Sequence, residues 1–222
     1  MKLLITENPM IHIGSYQVPV KAGGLEKSAI LTPAIAHALP TNWTFPWTSL
    51  WETCGSEGLG IVQLVLEEQV WGLVRYGVFP KDTQKFVLIE HLEAHPASRG
   101  STANRLVEPV GKWLIWYCVN VGLQHCSGDE KLVFLFSKAP AFEYYSSKIQ
   151  MEYKRTVDLS PGEKVHAFEF SRISATAYSQ RQEKTWGTPQ PFGYQAESSD
   201  CETESLDPRA SEGRHRSSQD LC

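Results

Sequence analysis

The sequence predicts a mixed α/β domain followed by an acidic tail. Three observations lead to this prediction: a globular composition, several short apolar runs of strand length, and longer apolar segments of helix length. The chain has 222 residues, of which 41% are hydrophobic and 21% are charged, as in ordinary globular domains. Short apolar runs bounded by turn residues are typical of strands, and apolar residues three and four apart are typical of helices.

The elements are predicted in chain order as follows. Residues 28–39 are predicted to form a helix, because their apolar residues recur at helical spacing and Pro40 ends the pattern. Short apolar runs predict strands over residues 61–67, 69–78, 86–94, 131–136 and 165–170. Residues 141–148 are predicted to form a further helix. The segment 112–121 is apolar on nearly every side, so its periodicity alone does not separate a buried helix from a buried strand.

Two turns are predicted between these elements. Glu67 and Glu68 lie where a tight turn would join two strands, although no Gly or Asn marks the position. Residues 80–83, Pro-Lys-Asp-Thr, also carry a turn signal.

The charge distribution separates a folded body, residues 1–178, from a tail, residues 179–222. Residues 194–222 carry seven acids and three Lys or Arg residues, which accounts for the net charge of −4. Such a serine-rich, acidic segment buries too little apolar surface to offset its ordering entropy, so the tail is predicted to be disordered. Three aromatic residues leave alternatives open, because they could dock onto the body or form a short linear motif: Trp186, Phe192 and Tyr194.

Composition also excludes several classes of protein. The body is close to neutral, so there is no electrostatic argument for nucleic acid or an anionic membrane as a partner. The longest apolar run, residues 113–119, is too short to span a membrane. The N-terminal apolar run is too short for a signal peptide, which makes the cytoplasm the expected compartment. The five cysteines are odd in number and none is in C-x-x-C spacing, so free structural thiols are expected.

Motifs for metal, nucleotide and hydrolase chemistry are not found. His91 and His95 flank Glu93 as H-L-E-A-H, which is not the H-E-x-x-H order of a zinc helix and lies in a predicted strand. No metal is therefore expected. The P-loop, the dinucleotide fingerprint and the G-x-S-x-G elbow do not occur in the sequence.

The most informative part of the chain lies between residues 86 and 121. A predicted strand is followed by a polar loop containing Arg99 and Arg105, and then by Gly111 and the apolar segment. A strand, a loop ending in glycine and a following helix can cradle an anion, because unpaired amide groups at a helix N-terminus point toward it. Such units are common, so chemistry alone makes phosphate binding one option among several.

At these residues the sequence resembles the GNAT superfamily of N-acetyltransferases. Residues 89–100, Ile-Glu-His-Leu-Glu-Ala-His-Pro-Ala-Ser-Arg-Gly, are similar to that family's fourth strand entering its pyrophosphate loop, and residues 104–115 to the start of its cofactor helix. Residues 139–151, Ala-Pro-Ala-Phe-Glu-Tyr-Tyr-Ser-Ser-Lys-Ile-Gln-Met, are similar to its helix after strand five. The resemblance covers residues 29–172. It implies a GNAT-like fold: a mixed, mostly antiparallel sheet, flanked by helices and splayed at the cofactor strand, with a helix over residues 112–121.

The sequence departs from the family pattern at four positions. Pro109 replaces the first glycine of the loop and has no amide N–H to donate. Trp113 lies where a small residue is usual, Leu106 where Gln or Arg is usual, and Gln150 where Gly is usual. These departures leave two alternatives open: a divergent enzyme, or a GNAT-like binding or interaction module that has lost its cofactor.

The resemblance implies two groups of residues that bind acetyl-CoA as a cosubstrate. Backbone amides at the start of the helix would hold its pyrophosphate: those of Val110, Gly111 and Lys112. Arg105 or Arg99 would add positive charge. The edge of the preceding strand would pair with the pantetheine arm at Leu92, Glu93 and Ala94.

Tyr145 matches the family's tyrosine, which protonates the leaving thiolate. The spacing from Tyr145 to Met151 is one residue longer than in the commonest form of the motif, so Tyr144 is the alternative. Aromatic packing is the other interpretation of both side chains.

Glu90 is the candidate base that takes a proton from the attacking amine. Strand alternation would place it on one face with Leu88 and Leu92, and His91 and Glu93 on the opposite face. A carboxyl group between apolar side chains has a raised pKa, which suits a base near neutral pH. A solvated acid at the end of a strand is the alternative interpretation.

The prediction is therefore an acyl-CoA-dependent N-acetyltransferase that transfers acetyl directly to a primary amine. Small-molecule and peptide amines both stay open as acceptors, and so does a homodimer. An aromatic cluster precedes the second strand, and it could line the acceptor site or pack in the core: Trp43, Phe45, Trp47 and Trp51.

Overall fold

A ten-stranded sheet with helices on both faces forms the fold in the computed structural model, which describes residues 11–81, 84–100, 105–160 and 162–193. The strands are β1 (Ser15–Ala22), β2 (Leu25–Pro33), β3 (Leu59–Leu66), β4 (Gln69–Lys81), β5 (Gln84–Ala94), β6 (Val107–Glu108), β7 (Val133–Lys138), β8 (Glu152–Ser160), β9 (Glu163–Phe170) and β10 (Gln190–Phe192). The helices are α1 (Trp47–Glu57), α2 (Val110–His125), a π-helix (Tyr144–Ile149) and α3 (Arg172–Trp186).

The strands lie in the order β10-β1-β2-β3-β4-β5-β7-β9-β8, and β6 pairs with β1. In the described part of the chain, β5 and β7 pair in parallel and the other strand pairs are antiparallel. This is the mixed, mostly antiparallel sheet that the sequence predicts. The predicted strands 61–67, 69–78, 86–94, 131–136 and 165–170 correspond to β3, β4, β5, β7 and β9.

Two apolar cores lie on opposite faces of the sheet. The larger core lies under α2 and α3 and includes Leu64, Trp113 and Tyr178. The smaller core lies under α1 and is built around Trp47, whose indole ring is fully buried. Helix α2 is apolar on most sides because the sheet covers one side and α3 covers another. The segment 112–121 is therefore helical, as the family resemblance implies.

Helix α2 approaches the sheet closely over Gly72 of β4. A Cβ atom at this position would lie 2.3 Å from Cγ1 of Val110 and 2.9 Å from Cδ1 of Leu114. The small residue that allows this close approach is therefore Gly72 in the sheet. The helix carries Trp113 at the position where the family pattern has a small residue.

The helix predicted over residues 28–39 is wrong. Strand β2 occupies Leu25–Pro33, and a short 3₁₀ turn follows at Ala36–Ala38. Ala29 and Leu31 alternate inward and are fully buried, so the period-two pattern determines the structure. Apolar residues four apart satisfy both a helix and a strand, and pairing with β1 and β3 selects the strand.

The predicted boundary between body and tail at residues 178 and 179 is also wrong. It falls inside α3, which continues to Trp186, and β10 then pairs with β1. Two buried polar residues, Ser179 and Gln182, form part of the face that α3 packs inward. The sequence has no apolar signal for such a helix. Residues 194–222, which hold the rest of the predicted tail, lie outside the described residues, as do residues 82 and 83 of the predicted turn.

The turn predicted between β3 and β4 is confirmed at Glu67 and Glu68. Both residues have positive φ, 51° and 64°, a combination that usually requires Asn or Gly. We expect Glu68→Gly to raise the free energy of unfolding by about 1 kcal/mol, because glycine adopts this conformation without steric cost. The change retains the ion pair between Lys27 and Glu67. Urea unfolding monitored by tryptophan fluorescence measures the effect.

The matched control for the turn is Glu26→Gly, which removes an exposed acid from the ordinary extended backbone of β2. Glycine should lower stability there by about 0.5–1 kcal/mol. A loss of stability in Glu68→Gly of similar size would contradict the explanation by backbone conformation.

Two further findings concern the described part of the chain. No helix in it is long and apolar enough to cross a membrane. Its three cysteines are buried free thiols: Cys54, Cys118 and Cys126.

Candidate functional site

Strands β5 and β7 separate near the middle of the sheet. They pair only from Val87 with Val133 to Ile89 with Leu135. Beyond that point β5 continues to Ala94 along β4, and β7 continues to Lys138 along β9. The edge of β5 that faces β7 therefore has no strand partner among the described residues after Ile89, and its backbone groups stay available for a ligand. This is the splayed sheet that the sequence predicts.

A cleft of about 880 Å³ opens at this separation. It contains eight of the nine residues predicted from sequence for cofactor binding and catalysis: Leu92, Glu93, Ala94, Arg105, Val110, Gly111, Lys112 and Tyr145. Glu90 does not line it. Residues 101–104 of the adjoining loop lie outside the described residues.

The N-terminus of α2 closes one end of the cleft. Pro109 is its N-cap and Val110 its first residue, so the amide groups of the first turn lack helical partners. Gly111 allows Tyr144 to approach this turn closely, because a Cβ atom at position 111 would lie 2.9 Å from Oη of Tyr144. Trp113 points away into the core, where its Nε1 donates a hydrogen bond to the carbonyl oxygen of Pro19 at 2.7 Å. The tryptophan therefore does not fill the cleft.

Positive charge is concentrated at this end of the cleft, although the chain is acidic overall. Burial lowers the pKa of Lys112, and the nearby charges of Arg181, Arg105 and Lys148 lower it further, while Glu108 opposes them. Cations crowded around the free amides of a helix N-terminus are suited to an anionic ligand. Arg105 also forms a long ion pair with Glu108, at 3.9 Å, and its guanidinium donates to the carbonyl oxygen of Gly100 through Nε at 2.8 Å and through Nη2.

A π-helix presents two tyrosines to the cleft. Its hydrogen bonds span more residues than in an α-helix, and the amide of Met151 donates to the carbonyl oxygen of Tyr145 at 2.9 Å. The extra residue in the spacing from Tyr145 to Met151 is accommodated by this wider turn. Gln150, which ends it, has φ of 65°, a conformation in which glycine is usual.

The two tyrosine side chains have different surroundings. Tyr145 is buried against Phe168, with 5.7 Å between ring centroids, and burial raises its pKa to about 12. Tyr144 lies over Gly111, and burial raises its pKa as well. Neither hydroxyl group has a hydrogen-bond partner among the described residues, so both can serve a ligand.

Glu93 fixes the wall of the cleft. Its carboxylate accepts hydrogen bonds from the backbone amides of Thr44 and Phe45 and from Nε1 of Trp47, at 2.8, 3.2 and 2.7 Å. It also accepts one from Arg99, which in turn donates to the carbonyl oxygen of Ala94 at 2.6 Å. The side chain therefore joins the aromatic segment before α1 to the end of β5, and only the strand backbone at Glu93 is free for a cofactor.

A β-bulge changes the predicted faces of β5. Arg75 pairs with His91 and Tyr76 pairs with Ile89, which leaves Glu90 as the extra residue. Val87 and Ile89 face the core under α2 before the bulge, and Leu92 faces it afterwards. Glu90, His91 and Glu93 consequently all lie toward α1, so the prediction that Glu90 lies opposite His91 and Glu93 is wrong.

Glu90 is held by a buried arginine. Nη1 of Arg75 lies 2.7 Å from Oε2 of Glu90, and Nη2 lies 2.5 Å from Oε2 of Glu57. Burial raises the pKa of Glu90, and the charge of Arg75 opposes the increase. The side chain of Glu90 is 25% exposed. It is therefore a partly desolvated acid on the α1 face, beside the separation of the strands.

The aromatic segment before α1 contributes mainly to packing. Trp47 is a core residue, and Trp43, Phe45 and Trp51 pack against the same core. Phe45 also lines the cleft. His91 lies edge-on to Phe45 at 4.7 Å, and His95 lies against Trp71 at 4.8 Å. Within the described ranges, no group of His, Cys, Asp or Glu residues could hold a metal ion.

The stability of the protein should fall as the pH decreases from 7.0 to 5.5. Burial lowers the pKa of His91, and Arg75 lowers it further. As the pH falls through about 6.5, His91 takes up a proton in the unfolded chain but not in the folded chain. The free energy of unfolding therefore falls as the pH falls. We expect His91→Phe to reduce this decrease by about 0.5–1 kcal/mol, measured by urea unfolding at both pH values. His37→Gln, at an exposed position, is the control, and an equal effect of both changes would contradict the prediction.

The structure adds residues to the cleft that the sequence analysis did not identify. They are Lys138, Glu143 and Lys148 near the π-helix and Trp186 at the end of α3. The sequence signal for Trp186 is an aromatic residue in a polar segment. Trp186 packs against the larger core, which confirms the alternative in which it docks onto the body. No sequence signal identified the three charged residues.

Comparisons with known proteins give structural matches alone. No family model and no curated protein matches the chain. The chain is similar to solved structures of GNAT acetyltransferases. Naa50 of Arabidopsis thaliana, in complex with the bisubstrate analogue CoA-Ac-MVNAL, has a TM-score of 0.47 and 12% identity over 64% of this chain and 98% of that one. A GNAT family acetyltransferase from Bacillus cereus has a TM-score of 0.46 and 13% identity over 65% and 97%. The ribosomal-protein-alanine N-acetyltransferase from Brucella melitensis has 0.44 and 14% over 64% and 98%.

Proposed function

We propose that the chain is an acetyl-CoA-dependent N-acetyltransferase that transfers acetyl directly to a primary amine. The observation that carries this proposal is the cleft between β5 and β7, where an unpaired strand edge leads to a helix N-terminus. The family resemblance of residues 89–115 and 139–151 supports the same assignment. The cytoplasm remains the expected compartment.

The residues that line the cleft suit two parts of acetyl-CoA, the pyrophosphate and the pantetheine arm. Backbone amides of Val110, Gly111 and Lys112 would bind the pyrophosphate, since a helix N-terminus favours negative charge. Pro109 contributes no amide N–H there, and the cations around Lys112 compensate with charge. The strand edge at residues 92–94 would hydrogen-bond the amides of the pantetheine arm. When bound, acetyl-CoA supplies an acetyl group activated as a thioester.

Two groups of this chain would move protons. Tyr145 carries its Oη proton at neutral pH, as burial raises its pKa to about 12, and it would donate that proton to the leaving thiolate. Tyr144 is the alternative donor. Glu90 would accept the proton of the amine from the α1 face, as burial raises its pKa against the opposing charge of Arg75. Arg75 would hold the carboxylate in place.

Calorimetric titration of the full chain with acetyl-CoA tests the proposal. We expect micromolar binding, and turnover in a screen of small-molecule and peptide amines. Tyr145→Phe, Tyr144→Phe and Glu90→Gln would then be compared, and the variant of the true proton donor or base should lower kcat at least tenfold. Exposed Glu143 lines the same cleft, and Glu143→Gln is the matched control.

The alternative function, a binding module without turnover, predicts a different result. Pro109 withholds one amide from the anion site, so a chain that has lost its cofactor could recover it in Pro109→Gly. Binding by Pro109→Gly but not by the native chain would support this alternative. Absence of binding by both would rule out acetyl-CoA as the ligand of the cleft.

A further inference from the structure

Helix α3 is positioned so that its last residue reaches the cofactor cleft. Nδ2 of Asn120 donates to Oγ of Ser179 at 3.2 Å, and Nε1 of Trp116 donates to Oε1 of Glu183 at 2.9 Å. Trp116 precedes Asn120 by four residues in α2, whereas its partner Glu183 follows Ser179 by four residues in α3. The two helices are therefore antiparallel. One turn further, Trp186 lies beside the first turn of α2.

Trp186 lines the cleft together with Glu108 and Lys112. The chain turns at Gly187, whose amide caps the helix by donating to the carbonyl oxygen of Glu183 at 2.8 Å, and continues into β10, which pairs with β1. The position of the indole ring is thus fixed at both ends by secondary structure. Its Nε1 has no hydrogen-bond partner in the part of the chain described, whereas those of Trp113 and Trp116 each have one.

The cations of the cleft match a phosphorylated ligand, and Nζ of Lys21 lies 5.7 Å from the centroid of the Trp186 indole ring. Lys112, Arg105 and Lys148 line the same cleft, and Arg181 lies close enough to affect Lys112. Arg181 also donates to the carbonyl oxygen of Ile149 at 3.0 Å, which ties α3 to the end of the π-helix. An aromatic ring among cations is the combination that binds nucleotides, because bases stack on aromatic rings and phosphates pair with cations.

We propose that Trp186, the three cations that line the cleft and Arg181 form the subsite for the adenine nucleotide of acetyl-CoA. The inference rests on the proposed function. In CoA the pyrophosphate joins the pantetheine arm to a 3′-phosphorylated adenosine. If the pantetheine arm lies along β5 and the pyrophosphate lies at the start of α2, the adenosine extends beyond the start of α2, away from β5. Trp186 lines the cleft at this helix end together with Glu108 and Lys112, and Arg181 lies near Lys112. Trp186 would stack on the adenine, and the cations would pair with the 3′-phosphate.

Calorimetric titration with three ligands tests the subsite: acetyl-CoA, adenosine 3′,5′-bisphosphate and S-acetylpantetheine. A fourth titration with ADP, which lacks the 3′-phosphate, tests whether the subsite is specific for CoA. The stacking of a base on an aromatic side chain corresponds to about 5- to 150-fold in affinity. We expect Trp186→Ala to weaken acetyl-CoA and adenosine 3′,5′-bisphosphate by that factor. Affinity for S-acetylpantetheine should stay the same, because it lacks the nucleotide. Trp186→Phe should restore part of the lost affinity.

The controls separate this inference from the proposed function. Ile173→Ala changes an exposed residue of the same helix and should leave the three affinities unchanged, and thermal unfolding checks that each variant is folded. If the native chain binds acetyl-CoA and the folded Trp186→Ala variant binds it with equal affinity, the subsite is overturned and the proposed function still stands. Binding of adenosine 3′,5′-bisphosphate that depends on Trp186, without any acetyl transfer, would support the subsite and contradict the function. Equal affinity for ADP would overturn its assignment to CoA, and no binding of acetyl-CoA or the bisphosphate by the native chain would overturn both proposals.

Discussion

The Glu93→Ala variant is expected to lose about 3–5 kcal/mol in its free energy of unfolding. The side chain of Glu93 is only 4% exposed, and four donors depend on its carboxylate. Alanine would leave two backbone amides and the indole N–H of Trp47 without their acceptor, whereas Arg99 would keep its hydrogen bonds to Ala94 and Thr44. Each buried donor that loses its acceptor costs about 1–3 kcal/mol.

Urea unfolding at pH 7 measures the loss, with tryptophan fluorescence as the signal. Glu93→Gln keeps one acceptor oxygen and should lose less, about 1–3 kcal/mol. Glu143→Ala is the matched control, because this acid lines the same cleft but is exposed, and it should change stability by less than about 0.5 kcal/mol. A loss below about 1 kcal/mol in Glu93→Ala would show that the carboxylate does not hold the wall of the cleft.

The second large effect is expected for Gly72→Ala. The added methyl group would lie 2.3 Å from Cγ1 of Val110 and 2.9 Å from Cδ1 of Leu114, so either α2 or β4 must move. Overpacking of this kind costs about 1–3 kcal/mol, and we expect a value near the upper end because the helix end cannot shift without disturbing β6 and the cleft. Acetyl-CoA affinity should fall with it, since the amide groups of the first turn would move.

A double-mutant cycle shows whether this contact is the cause. Val110→Ala removes the methyl group that Gly72→Ala would meet, so the loss from the double variant should be smaller than the sum of the two single losses by at least about 0.5 kcal/mol. Gly55→Ala is the control, because nothing lies within 4 Å of a Cβ atom there. It should stabilise α1 by about 0.5–1 kcal/mol. Additive losses at positions 72 and 110 would contradict the close-approach explanation.

Local patterns predicted five of the ten strands of the sheet. Strands β3, β4, β5, β7 and β9 follow from short apolar runs, because each is buried by its immediate neighbours. The helix α2 needed the family resemblance, since its periodicity was ambiguous. The same resemblance identified eight residues that line one cleft, and it did so because strand, loop and helix are adjacent in the chain.

The tertiary structure decided which face of a strand is buried and which strands separate. The bulge at Glu90 moves that carboxylate to the α1 face, and nothing in the alternation of β5 indicates it. Strand β2 replaces a predicted helix because its neighbours pair with it. Helix α3 packs inward through Ala175 and Tyr178, and the buried Ser179 accepts a hydrogen bond from Asn120 of α2.

The sequence by itself determined the fold class and the strand–loop–helix unit that borders the cleft. The tertiary structure alone decided that Glu93 is a structural carboxylate, that Trp113 packs in the core and that Trp186 reaches the cleft. The physical reason is the distance along the chain over which a sequence pattern carries information. A periodic pattern reports how a residue relates to its neighbours within one or two turns of chain, whereas these three side chains are placed by partners between 46 and 94 residues away or by the packing of a distant helix.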